Sequence, residues 1–359
     1  MVTLPPVLVI GAGVIGLSTA VTLAEAGYPV VVRTAEPSEA TTSAVAGALW
    51  GPWLVKPRHR VLRWAEHTLT TLCNLAAHRD TGVRLAAGID ASDVPHDPPD
   101  WAHLLPDRRP CTREEIPAGY GYGTRCTVPL VDMPTYLTER LTVAGGAIQI
   151  KSIESLDDVA HSWPLIVNCT GLGAHALVPD HQVHPVRGHH VIVSNPGLTD
   201  FIETDTGDSP DLIAIYPHPG HVVLGGTAEV GKWDRTPNPA IGQAILERCT
   251  RLESRLADAQ VIDHLVGLRH PPPRPGRSPT APQWSNHRPQ LRPRRSRRQP
   301  LLGLRHRDHQ FNQHHNIPTP MTSSRRQPRR GGTRDGRRGP AVRDGHHRHQ
   351  SVCVPRHLG

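Results

Sequence analysis

The sequence is poor in aromatic residues, with 2 Phe, 5 Tyr and 7 Trp among 359 positions. No run of about 18 apolar residues occurs anywhere, which predicts a protein without a membrane span. The opening segment, MVTLPPVLVIGAG, lacks a basic leader and runs straight into a strand-like stretch, so no secretory signal is expected. The six cysteines (Cys73, Cys111, Cys126, Cys169, Cys249 and Cys353) contain no CxxC pair. Their scatter argues against a disulfide framework and against a zinc site, and it suits reduced thiols in the cytoplasm. Lysine and glutamate are missing altogether from residues 270–359, where 20 Arg stand against 3 Asp.

That last absence divides the chain. Residues 270–359 carry a net +17, with 14 of the 37 Pro, 10 of the 24 His and only 15 apolar residues. So few apolar side chains do not offset roughly 1–2 kcal/mol of backbone entropy per ordered residue, which predicts a disordered, basic, low-complexity tail. Residues 1–269 carry 20 Lys+Arg against 29 Asp+Glu, a net −9, with enough apolar content for one large core or two coupled ones. The overall +8 therefore belongs to the tail, and a basic nucleic-acid binder is excluded for the body of the chain. Within the tail, Arg294-Arg295-Ser296-Arg297-Arg298 and Arg325-Arg326-Gln327-Pro328-Arg329-Arg330 offer sequence-blind phosphate contacts. Only Trp284 and Phe311 are there for base stacking, so nucleic acid is not the expected partner. The cluster His346-His347-Arg348-His349 has no diagnostic metal spacing, and Arg348 opposes a cation.

In the body, Val7–Ile10 is an apolar run ending at Gly11-Ala12-Gly13-Val14-Ile15-Gly16. A helical pattern through Leu17, Ala20, Val21, Leu23 and Ala24 stops at Gly27, and Val30–Val32 forms a second buried strand, giving βαβ. Helices are expected at Leu62–Leu75, Pro134–Ala144 and Ala240–Leu256, and strands at Ile148–Ile150 and Leu165–Val167. Residues 37–57 read as a loop, residues 90–129 as loops and irregular strands, and residues 189–226 as antiparallel strands. The GxGxxG turn lies between strand and helix, as a dinucleotide cradle requires. There its glycines permit a tight turn, close approach of backbone N–H groups to a pyrophosphate, and close helix–sheet packing. The ribose partner is normally an acidic residue just past the second strand. Ala35 occupies that register and Glu36 is next to it, so Glu36 is either the ribose ligand or an exposed loop glutamate.

Four segments in order, VIGAGVIGLSTA, TTSAVAGALWGPW (41–53), LIVNCTGLGAHAL (165–177) and VLGGTAEVGKWD (223–234), resemble the D-amino-acid oxidase family over residues 5–269. The resemblance implies a Rossmann-like FAD-binding domain, mainly residues 1–80 and 130–185. It also implies a second, mixed or antiparallel-sheet substrate domain, mainly 81–129 and 186–269. It implies that Gly11, Ala12, Gly13, Val14, Ile15 and Gly16 hold the pyrophosphate of FAD, and that Thr41, Thr42 and Ser43 meet phosphate or ribose. The Gly47-Ala48-Leu49 backbone would run along the flavin ring, Ile153 would contact adenine, and Thr170-Gly171 would close the cofactor site. The implied reaction oxidises a D-amino acid by hydride transfer to the flavin, with O₂ as second substrate and no acid/base residue required. Tyr216 and Arg269 are the implied substrate contacts. Tyr216 has the alternatives of a register shifted to Ile215 or Ala214, or of a tyrosine merely packed at a strand end. Neutral D-amino acids are favoured, because no second arginine is placed for a side-chain carboxylate. The oligomeric state is not readable, and a homodimer is compatible with it.

The chain also departs from the family. Gly267-Leu268-Arg269 is followed by His270-Pro271-Pro272-Pro273, so Pro272 stands where the pattern has the arginine that grips the carboxylate. The family's closing loop, of His-Asn-Tyr-Gly-His-Gly-Gly type, is absent from 270–359. Twenty Arg without Lys or Glu is what a GC-rich coding region yields when read out of frame, which points to a frameshift near codon 270. Weak FAD retention and little turnover follow as expectations. The alternative reading is a non-catalytic remnant of an FAD fold, or a basic-tailed nucleic-acid binder.

Overall fold

A computed structural model describes residues 4–52, 55, 58–137, 145–180, 183–205 and 212–270. The tail, and residues 138–144 of the helix expected from Pro134, lie outside the described residues.

Four short strands form a parallel sheet in the order β6-β2-β1-β7. They are β1 (Val7–Ile10), β2 (Val30–Thr34), β6 (Ala147–Ile150) and β7 (Leu165–Asn168). β1 is buried along its whole length, as a central parallel strand covered on both faces must be. Helix α1 (Val14–Glu25) crosses from β1 to β2 and buries Leu17, Ala20 and Val21 against Val7, Val9 and Val32. Each such apolar side chain contributes about 1.5–3 kcal/mol on burial. The opposite face packs Leu8 and Ile10 in one cluster with Val159 of the one-turn helix α3 (Asp157–Ala160) and Leu177 of the equally short α4 (Ala174–Leu177).

The second sheet is mixed, with nine strands among the described residues in the order β12-β8-β11-β10-β9-β3-β5-β4, and β13 added beside β8. Its body comprises β3 (Val83–Ser92), β5 (Tyr122–Val131), β8 (Val186–Ser194) and β9 (Phe201–Asp205). It continues through β10 (Ile213–Pro217), β11 (His221–Gly225) and β13 (Val261–Arg269), with two-residue strands β4 (Arg109–Pro110) and β12 (Glu229–Val230) at its margins. β3 and β9 run parallel, and the other pairs are antiparallel. Helix α5 (Pro239–Leu252) covers one face, burying Ile245 and Cys249 against Val191, Val193 and Leu224. Its first turn has Pro239 in place, and Asn238 Oδ1 accepts from the Ala240 N–H at 3.0 Å.

Three expectations need correction. The Pro- and Asp-rich stretch 90–129 contains most of β5, a regular ten-residue partner of β3. Pro129 is tolerated there because its carbonyl, and with it the side that lacks an N–H, faces away from β3 toward residues 48–50, where the Trp50 N–H donates to the Pro129 carbonyl at 2.9 Å. The helix expected from Leu62 begins at Arg58 and ends at Ala76 (α2). The helix expected through Leu256 ends at Leu252, and a 3₁₀ segment, Ser254–Asp258, follows before β13.

Candidate active site

The glycine turn joins β1 to α1 and is a place where side chains do not fit. A Cβ on Gly11, whose φ is +108°, would lie 2.4 Å from the Cys169 carbonyl oxygen, and one on Gly16 would lie 1.9 Å from the Gly11 carbonyl oxygen. The helix N-cap, Gly13, provides no side-chain cap, and the first turn has no acidic residue. An anion is therefore the natural complement of this N-terminus. The Val14 N–H donates to Ser43 Oγ at 2.9 Å, and a Cβ on Gly13 would meet that oxygen at 3.0 Å. The Ile15 side chain points outward, 61 % exposed.

Of the three expected hydroxyls, Ser43 is the one over the glycine turn. Thr41 Oγ1 donates to the Ser38 carbonyl at 2.7 Å, and Thr42 Oγ1 both donates to the Leu268 carbonyl and accepts the Leu268 N–H. These two threonines pin the loop, to itself and to β13. β7 pairs with β1 and delivers Thr170, whose N–H and hydroxyl both donate to Asn168 Oδ1, and Gly171, with φ +56°. Glu36 accepts from Arg235 at 2.9 Å in an exposed pair. Ile153 lies just past Lys151, which pairs with Thr34 at the end of β2.

The segment 45–50 leads from this cradle to the mixed sheet. Ala48 has φ 47°, its carbonyl accepts from the Val131 N–H, and Leu49 bridges Leu130. The ring of Tyr216 lies on Gly47, where a Cβ would sit 2.4 Å from Cδ2. Tyr216 Oη donates to Glu203 Oε1 on the neighbouring strand. Burial raises the Glu203 carboxyl to about 7, with its hydrogen bond to Tyr216 acting in the other direction. Burial, and then the adjacent Glu203, hold the Tyr216 phenol well above its ordinary value. Arg269, at the end of β13, has its pKa lowered by desolvation and is close enough to Tyr216 to interact with it electrostatically. The structure thus brings Tyr216 and Arg269 together, with Tyr216 in β10 and buried against Trp50, Ala214 and Val223.

Two participants were not singled out from the sequence. Glu203 was hidden in Phe201–Asp205, a stretch with no motif. His190 was hidden in the His189-His190 pair of β8. The His190 Nδ1 lies 2.8 Å from the Val45 carbonyl, and the ring packs so closely on Gly225 that a Cβ there would be 2.9 Å from Cδ2. That explains Gly225 at the end of β11, and the His190–Val45 contact ties the 45–50 segment to β8.

A glycine cradle on a parallel sheet, joined by one strap to a mixed sheet bearing a buried Tyr–Glu pair and an arginine, defines a nucleotide-dependent enzyme of two-sheet type. The family model described as FAD dependent oxidoreductase (DAO) matches residues 6–120 and 137–307, running past Arg269 into the tail. The chain belongs to this family. It is 42 % identical over 266 residues to a D-amino-acid oxidase of Rubrobacter xylanophilus, covering 73 % of this chain and 81 % of the relative. It is 43 % identical over 268 residues to a D-amino-acid oxidase of Streptomyces coelicolor, covering 73 % and 82 %. Among solved structures, glycine oxidase from Geobacillus kaustophilus shares the fold with a TM-score of 0.61 at 18 % identity, covering 75 % of this chain and 83 % of that one. Among the described residues no helix is long and apolar enough to cross a membrane.

Proposed function

We propose that this protein is an FAD-dependent D-amino-acid oxidase, acting on neutral D-amino acids with O₂ as the electron acceptor. The observation that carries the reading is the strap 43–50, which meets the glycine cradle through Ser43 and the Tyr216 ring through Gly47. The cradle fits the cofactor's pyrophosphate, because the N-terminus of α1 has no side-chain cap and no acidic residue in its first turn. When bound in this seat, FAD would supply the hydride acceptor for oxidation of a D-amino acid to its imino acid, with O₂ as the final electron acceptor.

In this reading Gly11 to Gly16 hold the pyrophosphate with Ser43 beside them, and Glu36 and Ile153 serve the ribose and adenine end. Thr170 and Gly171 close the cofactor seat, and the Gly47-Ala48-Leu49 backbone borders the ring. Thr41 and Thr42 act by holding the loop. Arg269 offers the guanidinium for the substrate carboxylate. Tyr216 presents its ring and hydroxyl to the same end, with Glu203 fixing the hydroxyl from behind. Orientation is the main work of these residues, and no side chain need take the substrate's Cα proton. We also assign residues 1–80 and 130–185 chiefly to cofactor binding, and 81–129 and 186–269 to the substrate side. A cytoplasmic setting accords with Cys73, Cys111, Cys126, Cys169 and Cys249 standing outside any disulfide.

The test is purified full-length protein loaded with FAD. The expected result is a weak flavin absorbance band that co-elutes on gel filtration, and peroxide released with D-alanine but not with L-alanine. Turnover is expected to be low, because Arg269 acts without the second arginine that Pro272 replaces. Colourless protein after loading, with no peroxide from any D-amino acid, overturns the proposal.

A further inference from the structure

The tip of the β10–β11 hairpin carries a feature that the oxidase reading does not use. The turn is His218-Pro219-Gly220-His221, closed by the His218 N–H donating to the His221 carbonyl at 2.7 Å. Proline and glycine at the two central positions suit a tight turn, which sets the flanking histidines side by side. Their rings are stacked, with centroids 4.8 Å apart and planes 17° from parallel. His218 is buried, 4 % exposed. Facing them is Asp132, just past β5. Its N–H donates to the Gly82 carbonyl at 2.7 Å, and its Oδ1 accepts from the Thr135 N–H at 3.3 Å. One donor atom from each of the three residues lies within 4.8 Å of the others.

We infer that Asp132, His218 and His221 form a binding site for a divalent transition-metal ion of the zinc class. Two imidazoles and one carboxylate from two backbone segments, each already fixed, match the three-ligand set of such ions and leave a coordination position for water. Mg²⁺ and Ca²⁺ prefer all-oxygen sites and are not expected. Asp132 and His218 also line a cavity of about 390 Å³ with Arg79, Arg84 and Thr135, which gives solvent a route to the ion. Arg84 opposes a cation. Its guanidinium is engaged with the carbonyls of Pro217 and Thr199 and interacts electrostatically with Asp200. That opposition weakens the expected affinity relative to the same ligands without a neighbouring guanidinium. A bound ion clamps the hairpin that carries Tyr216 to the 131–133 junction, which belongs to the core around β1.

The full-length protein is titrated with ZnCl₂, and separately with MgCl₂, while its melting temperature is followed. Histidine acylation by diethyl pyrocarbonate is mapped by mass spectrometry at each zinc level. The variants are His221→Ala, on the more accessible ring, and Asp132→Asn, which keeps the acceptor for Thr135. Expected results are a zinc-dependent rise in melting temperature, zinc protection of His221 from acylation, and affinity lowered on the order of tenfold or more in both variants. An equal rise with Mg²⁺, no rise at all, or an unchanged zinc response in both variants overturns the site. The last outcome would assign the ion to other histidines, such as His346, His347 and His349.

Discussion

In the proposed function, the atoms that act at the end of the parallel sheet are backbone N–H groups, and what matters is the side chains that are missing. On the mixed sheet they are side chains, set by register. Asp90, Glu203, Ala214, Gly225 and His190 occupy one row across five strands, and Tyr216 lies diagonally beside Glu203. The first kind of site is written in a few adjacent residues and breaks when an atom is added. The second is assembled across five strands, from Asp90 to Gly225, and breaks when a charge or a ring moves.

Adding one methyl group to each sheet tests this contrast most directly. Gly16→Ala places a Cβ against the Gly11 backbone, which cannot swing aside as a side chain can. The expected outcome is a loss on the order of 2–5 kcal/mol in urea unfolding and protein that emerges colourless from gel filtration. Gly47→Ala drives a Cβ into the Tyr216 ring instead. The ring shifts at a cost of about 1–3 kcal/mol, the flavin band is retained, and peroxide output from D-alanine falls by about a hundredfold. Flavin loss in Gly47→Ala equal to that in Gly16→Ala would erase the distinction between the two sites.

Removing the buried carboxyl group sharpens the comparison on the mixed sheet. The native Glu203 carboxyl titrates near 7 against an ordinary 4.5. Its contribution to stability is therefore fully present below about 4.5 and is lost as the pH rises through about 7, with a slope of up to about 1.4 kcal/mol per pH unit. His189, His190 and His218 have lowered values and carry the opposite slope, so the wild-type curve alone mixes the two effects. They are common to wild type and Glu203→Gln, so the difference between the two proteins isolates the carboxyl. The expected difference, measured by denaturant unfolding from pH 4 to 8, is a steady loss of wild-type stability relative to the variant. A flat difference would mean that Glu203 is not held protonated in the native protein.

The same contrast explains what was legible in the sequence. The glycine turn, α1, β2 and β7 are legible because their signals are local: a period of 3.6, short apolar runs such as Val30–Val32 and Leu165–Val167, and glycines at fixed offsets. Tyr216 and Arg269 stand out only by resemblance, Tyr216 as the tyrosine upstream of Gly225-Gly226 and Arg269 as the arginine after Gly267-Leu268, and their role at the substrate remains part of the proposed function. Glu203 was not found, because a buried carboxylate in a strand looks like any glutamate until its neighbour across the sheet is known. β5 was misjudged because Pro129 and the prolines before it argue for loop, and the strap that makes Pro129 acceptable comes from eighty residues upstream. The hydroxyls of Thr41 and Thr42 resembled cofactor ligands in sequence, yet they are spent on the backbone of Ser38 and Leu268.

Glu36 carries the smallest expected effect and lies between the two kinds of site. It sits past the end of β2, where a ribose partner belongs, but its carboxylate also pairs with Arg235 while both side chains remain more than 40 % exposed. A surface pair of that exposure contributes about 0–1 kcal/mol, so Glu36→Ala should leave the unfolding curve almost unmoved. A carboxylate that accepts hydrogen bonds from ribose hydroxyls contributes about 1.5–3 kcal/mol to binding, so the same variant should release FAD about tenfold more readily or worse. Arg235→Ala separates the two roles: it removes the ion pair and leaves the carboxylate in place. FAD affinity falling in Glu36→Ala but not in Arg235→Ala puts Glu36 with the cradle, whereas no change in either variant makes it a surface residue.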